Sequence, residues 1–280
     1  MFNFRYHVVS LAAVFLALVL GILVGVAISD PQLGDRIDKR ALQDRVSRLE
    51  GDLADAQGKL QDQNAAEAYV TRSYDALMHD RLAGKRVALL VVGSGDSVRS
   101  EVADAIEAAG GSLVRWRSIR VPVADGIEES IDPPAGSPAD AGRALGREFV
   151  SGGETPTWDA LAGQLVLQQE GSFDGEVDGV VVVRAAEPQQ GSTARFLRGL
   201  YEGLEGAVPA VGVEESGSDP SIVPILRQFD DFSTVNNVDT RVGRLSLAVL
   251  LQDGEVGHYG IDAPDGVMPT VEPVTAPPAS

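Results

Sequence analysis

Hydrophobic and polar positions follow three different rhythms along this chain, and each predicts a different kind of structure. Residues 8–28 carry no charge, and such a run matches the roughly 20 residues with which a helix crosses about 30 Å of hydrocarbon. A single transmembrane helix is expected there, after a short tail over 1–7. Residues 31–82 are charged instead, with apolar positions at heptad spacing. Val46, Leu53, Leu60 and Tyr74 fall at a, and Leu42, Leu49, Ala56, Val70 and Leu77 at d. That seam predicts a coiled-coil stalk, weakest where Gln63 and Glu67 interrupt it.

Across 85–260 the rhythm changes again. Arg86-Val-Ala-Leu-Leu-Val-Val92 and Gly179-Val-Val-Val-Val-Arg184 are continuous apolar runs of the kind found in strands covered on both faces. A helix with Val98, Val102, Ile106 and Ala109 on one face separates the first of them from a strand over 112–121. Residues 122–156 lose periodicity, leaving an excursion with one short helix near 141–150. Pro156 then opens a helix carrying Trp158, Leu161 and Leu165. Later periodic stretches predict a helix around Phe196, Leu200 and Leu204, a strand over 207–213 and a last helix over 239–251. Alternating strands and helices imply an α/β fold, a doubly wound, Rossmann-like sheet. Five prolines between Pro264 and Pro278 predict a flexible, disordered tail over 261–280.

Small residues refine the reading of the first segment. Ala13, Ala17, Gly21, Gly25 and Ser29 recur every fourth residue, a stripe that lets two membrane helices approach closely. Together with Val46, Leu49, Leu53 and Leu60 in the heptad seam, Ala17, Gly21 and Gly25 are the candidate dimerisation residues, and a parallel homodimer is expected. A cleaved signal peptide is the alternative, but the run exceeds the usual apolar core of one. Bases near the expected span are Arg36, Lys39, Arg40 and Arg45 on one side and Arg5 on the other. Counted alone, they favour a cytoplasmic head.

Composition narrows the partners. A formal net charge of −18 argues against a nucleic-acid surface, and the absence of cysteine excludes disulfides and thiolate metal sites. Three methionines and three scattered histidines leave few soft ligands for copper(I). No metal site, cofactor or enzymatic motif is expected from these residues. Ligands of doubly wound sheets bind beyond the carboxyl ends of the strands, which singles out Gly93-Ser-Gly-Asp-Ser97. Val98 stands where the dinucleotide fingerprint needs glycine, and Asp96 adds negative charge, so no dinucleotide should bind. Candidate ligand contacts are Ser94, Gly95 and Ser97, with Asn236, Asn237, Asp239 and Thr240 farther along. The acidic pairs Glu214-Glu215 and Asp230-Asp231 read as solvated surface.

Two strings carry a family resemblance. Phe2-Asn-Phe-Arg-Tyr-His-Val-Val-Ser-Leu11 resembles the N-terminus of the actinobacterial copper transporter family named after mycobacterial copper transport protein B. Ser233-Thr-Val-Asn-Asn-Val-Asp-Thr240, with an apolar helix and Gly257-His-Tyr-Gly260 after it, is similar to that family's C-terminal segment. The resemblance implies an envelope protein, described in the family as limiting intracellular copper or as pore-like in the outer membrane. It also implies likeness to a cell-separation complex containing a second membrane protein and a peptidoglycan hydrolase recognised through coiled coils. On that basis the N-terminus is expected in the cytoplasm and the head outside. The function expected is a non-enzymatic scaffold or regulator, with copper homeostasis and a ligand-sensing head as alternatives.

Overall fold

A computed structural model describes residues 16–24, 39–94, 96–184 and 187–273. The chain divides into two compact units, 1–62 and 63–280. In the first, residues 16–24 are helical and exposed. No helix among the described residues is long and apolar enough to cross a membrane, so the expected transmembrane helix over 8–28 is corrected. An uncharged run is a necessary sign of such a helix and not a sufficient one. Of that run, residues 16–24 are described. The rest of that stretch, with Ala13, Gly25 and Ser29, lies outside the described residues, whereas Ala17 and Gly21 are on the exposed helical stretch.

The heptad region is one helix, α1 (Lys39–Met78). Its heptad residues Val46, Leu49 and Leu53 are 49%, 64% and 59% exposed. Near its end the pattern reverses: Val70 and Met78 are buried and belong to the core of the second unit. There Arg241 donates to the Thr71 carbonyl oxygen and lies over the Tyr74 ring. A seam written as one heptad series therefore has solvent against its first part and a folded sheet domain against its last.

The second unit holds a seven-stranded sheet in the order β3-β2-β1-β4-β5-β6-β7. Its strands are β1 (Arg86–Val92), β2 (Ser112–Ile119), β3 (Val166–Gly171), β4 (Gly179–Arg184), β5 (Ala210–Val213), β6 (Phe232–Val235) and β7 (His258–Tyr259). All neighbours pair in parallel except β3, which runs antiparallel to β2. The expected α/β, doubly wound head is thus present. Alternate residues of β1 serve opposite faces, as a period of two requires. Ala88, Leu90 and Val92 enter one core and Val87, Leu89 and Val91 the other.

On the first face lie α3 (Pro138–Ser151), α4 (Pro156–Leu165), α5 (Gly191–Leu204) and the single turn α6 (Val223–Leu226); on the second lie α2 (Asp96–Ala108), α7 (Arg241–Asp253) and the end of α1. Helices α3 and α5 pack unusually closely because each carries a glycine pair four residues apart. A Cβ on Gly142, Gly146, Gly199 or Gly203 would collide with the backbone of the opposite helix. The same small-xxx-small device joins two helices of the sheet domain here. Arg143 fixes their alignment, donating to Asp140 at 2.7 Å and to Glu202 at 2.5 Å.

Two buried guanidiniums close the β3 side. Arg115 donates to the carbonyl oxygens of Phe149 (2.9 Å) and Gly175 (2.5 Å), and both it and Arg117 lie against the Phe173 ring. At the other end of the sequence, residues 261–273 occupy part of the expected flexible tail. Val267, Met268 and Val271 pack on the second core, and Arg81 donates from Nη2 to the Glu272 carbonyl oxygen.

Candidate functional site

Strand order reverses between β1 and β4, because β1 continues outward through α2 to β2 whereas β4 continues the other way through α5 to β5. The crevice at such a reversal is where doubly wound sheets receive ligands. Its rim holds Gly93, at φ 100°, and the exposed Ser94 after β1. Arg184 ends β4. Gly95 lies outside the described residues, and Ser97 is in the first turn of α2. The expected loop is therefore at the reversal.

The second group of candidates is at the same edge of the sheet but not in the same place. Asn236 to Thr240 follow β6, three strands from β1, or about 14 Å at roughly 4.8 Å per strand. Most of their polar side chains are also engaged. Asn236 brackets Ile261, accepting from its N–H at 2.7 Å and donating to its carbonyl oxygen at 2.8 Å. Asp239 accepts from the backbone N–H and hydroxyl of Ser216. Thr240 is the N-cap of α7, its hydroxyl oxygen accepting from Gly243 N–H at 3.0 Å. Asn237 is buried beside Gly243, and its Oδ1 lacks a partner. These residues hold the β6 end, the C-terminal turn and α7 together.

Read from residue order, Glu214 is solvated surface and Arg184 the end of a strand, and neither is a candidate contact. Glu214 directly follows β5 and is 7% exposed, so this half of the acidic pair is interior, while Asp230 and Asp231 lie toward the surface. Its carboxylate accepts from the Ser221 hydroxyl at 2.8 Å and from Ile222 N–H at 2.7 Å, and burial pushes its pKa above the ordinary carboxylate range. The signal available was its position directly after an Ala-Val-Gly-Val strand. Arg184 gave a similar signal, a lone base closing a run of four valines.

Metal chemistry has little to work with among the described residues. No group of three or more His, Asp or Glu side chains is placed to hold a metal ion. Of the pair Met78-His79, Met78 is buried and His79 sits at the surface, 3.0 Å from the Asp80 carboxylate.

Comparison with known proteins completes the picture. A family model described as "Copper transport outer membrane protein, MctB" matches residues 1–119 and 116–269. The chain belongs to this family. Proteins named "Copper transporter MctB" from Mycobacterium bovis (strain ATCC BAA-935 / AF2122/97) and from Mycobacterium tuberculosis strains CDC 1551 / Oshkosh and ATCC 25618 / H37Rv are each 29% identical over 306 aligned positions. The alignment covers 93% of this chain and 96% of each relative. The MctB match takes in the heptad helix as well as the sheet domain, so the two are parts of one family architecture.

Proposed function

We propose that this MctB-family chain is a non-enzymatic protein of the cell envelope that works by helix-mediated assembly. Its first partner is a second copy of itself, paired in parallel along the heptad positions Val46, Leu49, Leu53 and Leu60. Further partners of the same helix are a coiled-coil peptidoglycan hydrolase and a second membrane protein, in a complex for cell separation. The observation that supports this reading is the exposed stripe on α1, where Val46, Leu49 and Leu53 are all at least 49% exposed. An apolar seam left wet on a polar helix gains by docking against another helix. Multi-angle light scattering of the chain from Asp30 onward should give twice the monomer mass. The Leu49→Asp/Leu53→Asp pair, which would bury charge in the seam, should give the monomer mass. A monomeric mass for the unsubstituted chain would remove the reading.

Copper homeostasis is the second reading, supported by the name of the family and of the mycobacterial relatives. A deletion strain and its parent, compared for cell-associated copper and for the length of unseparated cell chains, separate the two. Raised copper with normal separation favours the second reading; long chains with unchanged copper favour the first.

A further inference from the structure

Beside Arg184 at the carboxyl end of β4, α5 and α6 border a cavity of about 360 Å³. That is within the roughly 300–1,000 Å³ of small-molecule sites and at their small end. Its apolar lining includes Ala194, Leu197, Ile225 and Phe229, and its polar lining includes Arg184 and Tyr201. Tyr201 is 2% exposed, with its ring packed edge-on against Phe229 and Phe232. Its hydroxyl is buried without a hydrogen-bond partner, and so is Nε of Arg184.

Proteins pair nearly all buried polar groups, so two unpaired groups on one cavity mark an acceptor still to come. The guanidinium can only donate, and the phenol stays protonated because burial pushes its pKa up to about 12. An oxygen that satisfies both must accept, and one bearing negative charge does so most strongly beside a guanidinium. Arg184 also donates from Nη2 to the Glu187 carbonyl oxygen at 2.6 Å, which fixes the guanidinium at the cavity wall. Arg198, the other cation on the cavity, is taken up by Glu202 at 3.1 Å on its own helix.

We propose that this cavity binds a small organic acid, its carboxylate received by Arg184 and Tyr201 and its branched or aromatic body seated against Leu197, Ile225 and Phe229. The proposal is independent of helix-mediated assembly and would stand if that reading failed. Arg184 brings the cavity to the carboxyl end of β4, the side of a doubly wound sheet on which ligands bind.

Titrating phenylacetate into the purified full chain, with 2-phenylethanol as the uncharged counterpart, tests it by chemical-shift perturbation. The acid should bind at least tenfold more tightly than the alcohol. Arg184→Gln and Tyr201→Phe should each weaken acid binding by about tenfold, the size expected for losing one charge-assisted hydrogen bond. Tyr201→Phe keeps the ring and removes an unpaired hydroxyl, so without ligand it should melt at or above the parent temperature. It therefore remains a valid test even if Arg184→Gln folds poorly. Equal binding of acid and alcohol, unweakened acid binding by Tyr201→Phe, or no shifts with either probe at tens of millimolar would overturn the assignment.

Discussion

The carbonyl oxygen of Ala139 occupies the space into which a side-chain carbon on Gly199 would project. Gly203 stands in the same relation to Arg143, and Gly142 and Gly146 to Phe196 and Leu200 across the interface. Because the obstruction is backbone, no rotamer change relieves it, and α3 and α5 would have to separate. Gly199→Ala should cost more than about 3 kcal/mol, since overpacking outweighs the gain in helix propensity of about 1 kcal/mol. A methyl group placed on Gly163 in α4 would instead meet no atom within 4 Å, and its backbone has no positive φ. Gly163→Ala should stabilise by up to about 1 kcal/mol. Urea midpoints of the two variants should move in opposite directions.

A pH dependence follows from His258, whose Nδ1 lies 3.0 Å from Thr234 Oγ1. Burial first, and then Arg227, hold this imidazole below its ordinary value of 6.5, with Asp265 opposing. The unfolded chain takes up a proton near pH 6.5 that the folded chain takes up only at lower pH. Stability should therefore fall as pH drops below about 6.5. His258→Gln should flatten that fall, as read from urea midpoints at pH 7.5 and 5.5. Asp140 and Glu202 have lowered pKa values from hydrogen bonds to Ser137 and Arg143, and their stabilising effect is lost in the more acid range below about 4.5.

Helix α4 begins on a carboxylate borrowed from α3. Glu148 accepts from the N–H groups of Thr157 and Trp158, both at 3.0 Å, while Trp158 Nε1 donates to the Leu145 carbonyl oxygen at 2.9 Å. Glu148→Ala takes the carboxylate from two first-turn donors and should cost about 1–2 kcal/mol. Thermal denaturation should show a drop of roughly 2–8 °C for a domain of this size.

Arg115→Met keeps most of the side-chain volume and removes both donors from the carbonyl oxygens of Phe149 and Gly175. Leaving buried acceptors unpaired costs about 1–3 kcal/mol each, so a loss of about 2–6 kcal/mol is expected for the two. Equilibrium unfolding followed by tryptophan fluorescence measures it.

How far the fold could be read from residue order depended on which interaction wrote the pattern. Burial on both faces wrote the valine runs of β1 and β4, and burial on one face wrote the periodicity of α5, so these were legible. Strand β3 was not, because Leu167, Gln168, Gln169 and Glu170 are exposed and its pairing with β2 is made by backbone. Strands β6 and β7, with four and two residues, are shorter than any periodicity can mark. The glycine pairs of α3 and α5 acquire meaning only when the two helices meet. In the candidate site the residue types were ambiguous by nature. Asn, Asp, Ser and Thr both bind ligands and cap helices, and only their partners show that Asn236, Asp239 and Thr240 serve the fold. Uniform apolarity over 8–28 gives the cost of wetting a segment and does not by itself specify a spanning helix.

The two rims of the sheet constrain how copies of this protein can meet. One rim is β7, two residues long, and the other is β3, which presents Gln168, Gln169 and Glu170. Neither is a good template on which another chain could add a strand, because one is too short to pair and the other is polar and charged. At high local concentration the sheet stays closed to its own kind. Runaway strand-to-strand growth is thereby disfavoured, and association is left to surfaces whose extent is finite.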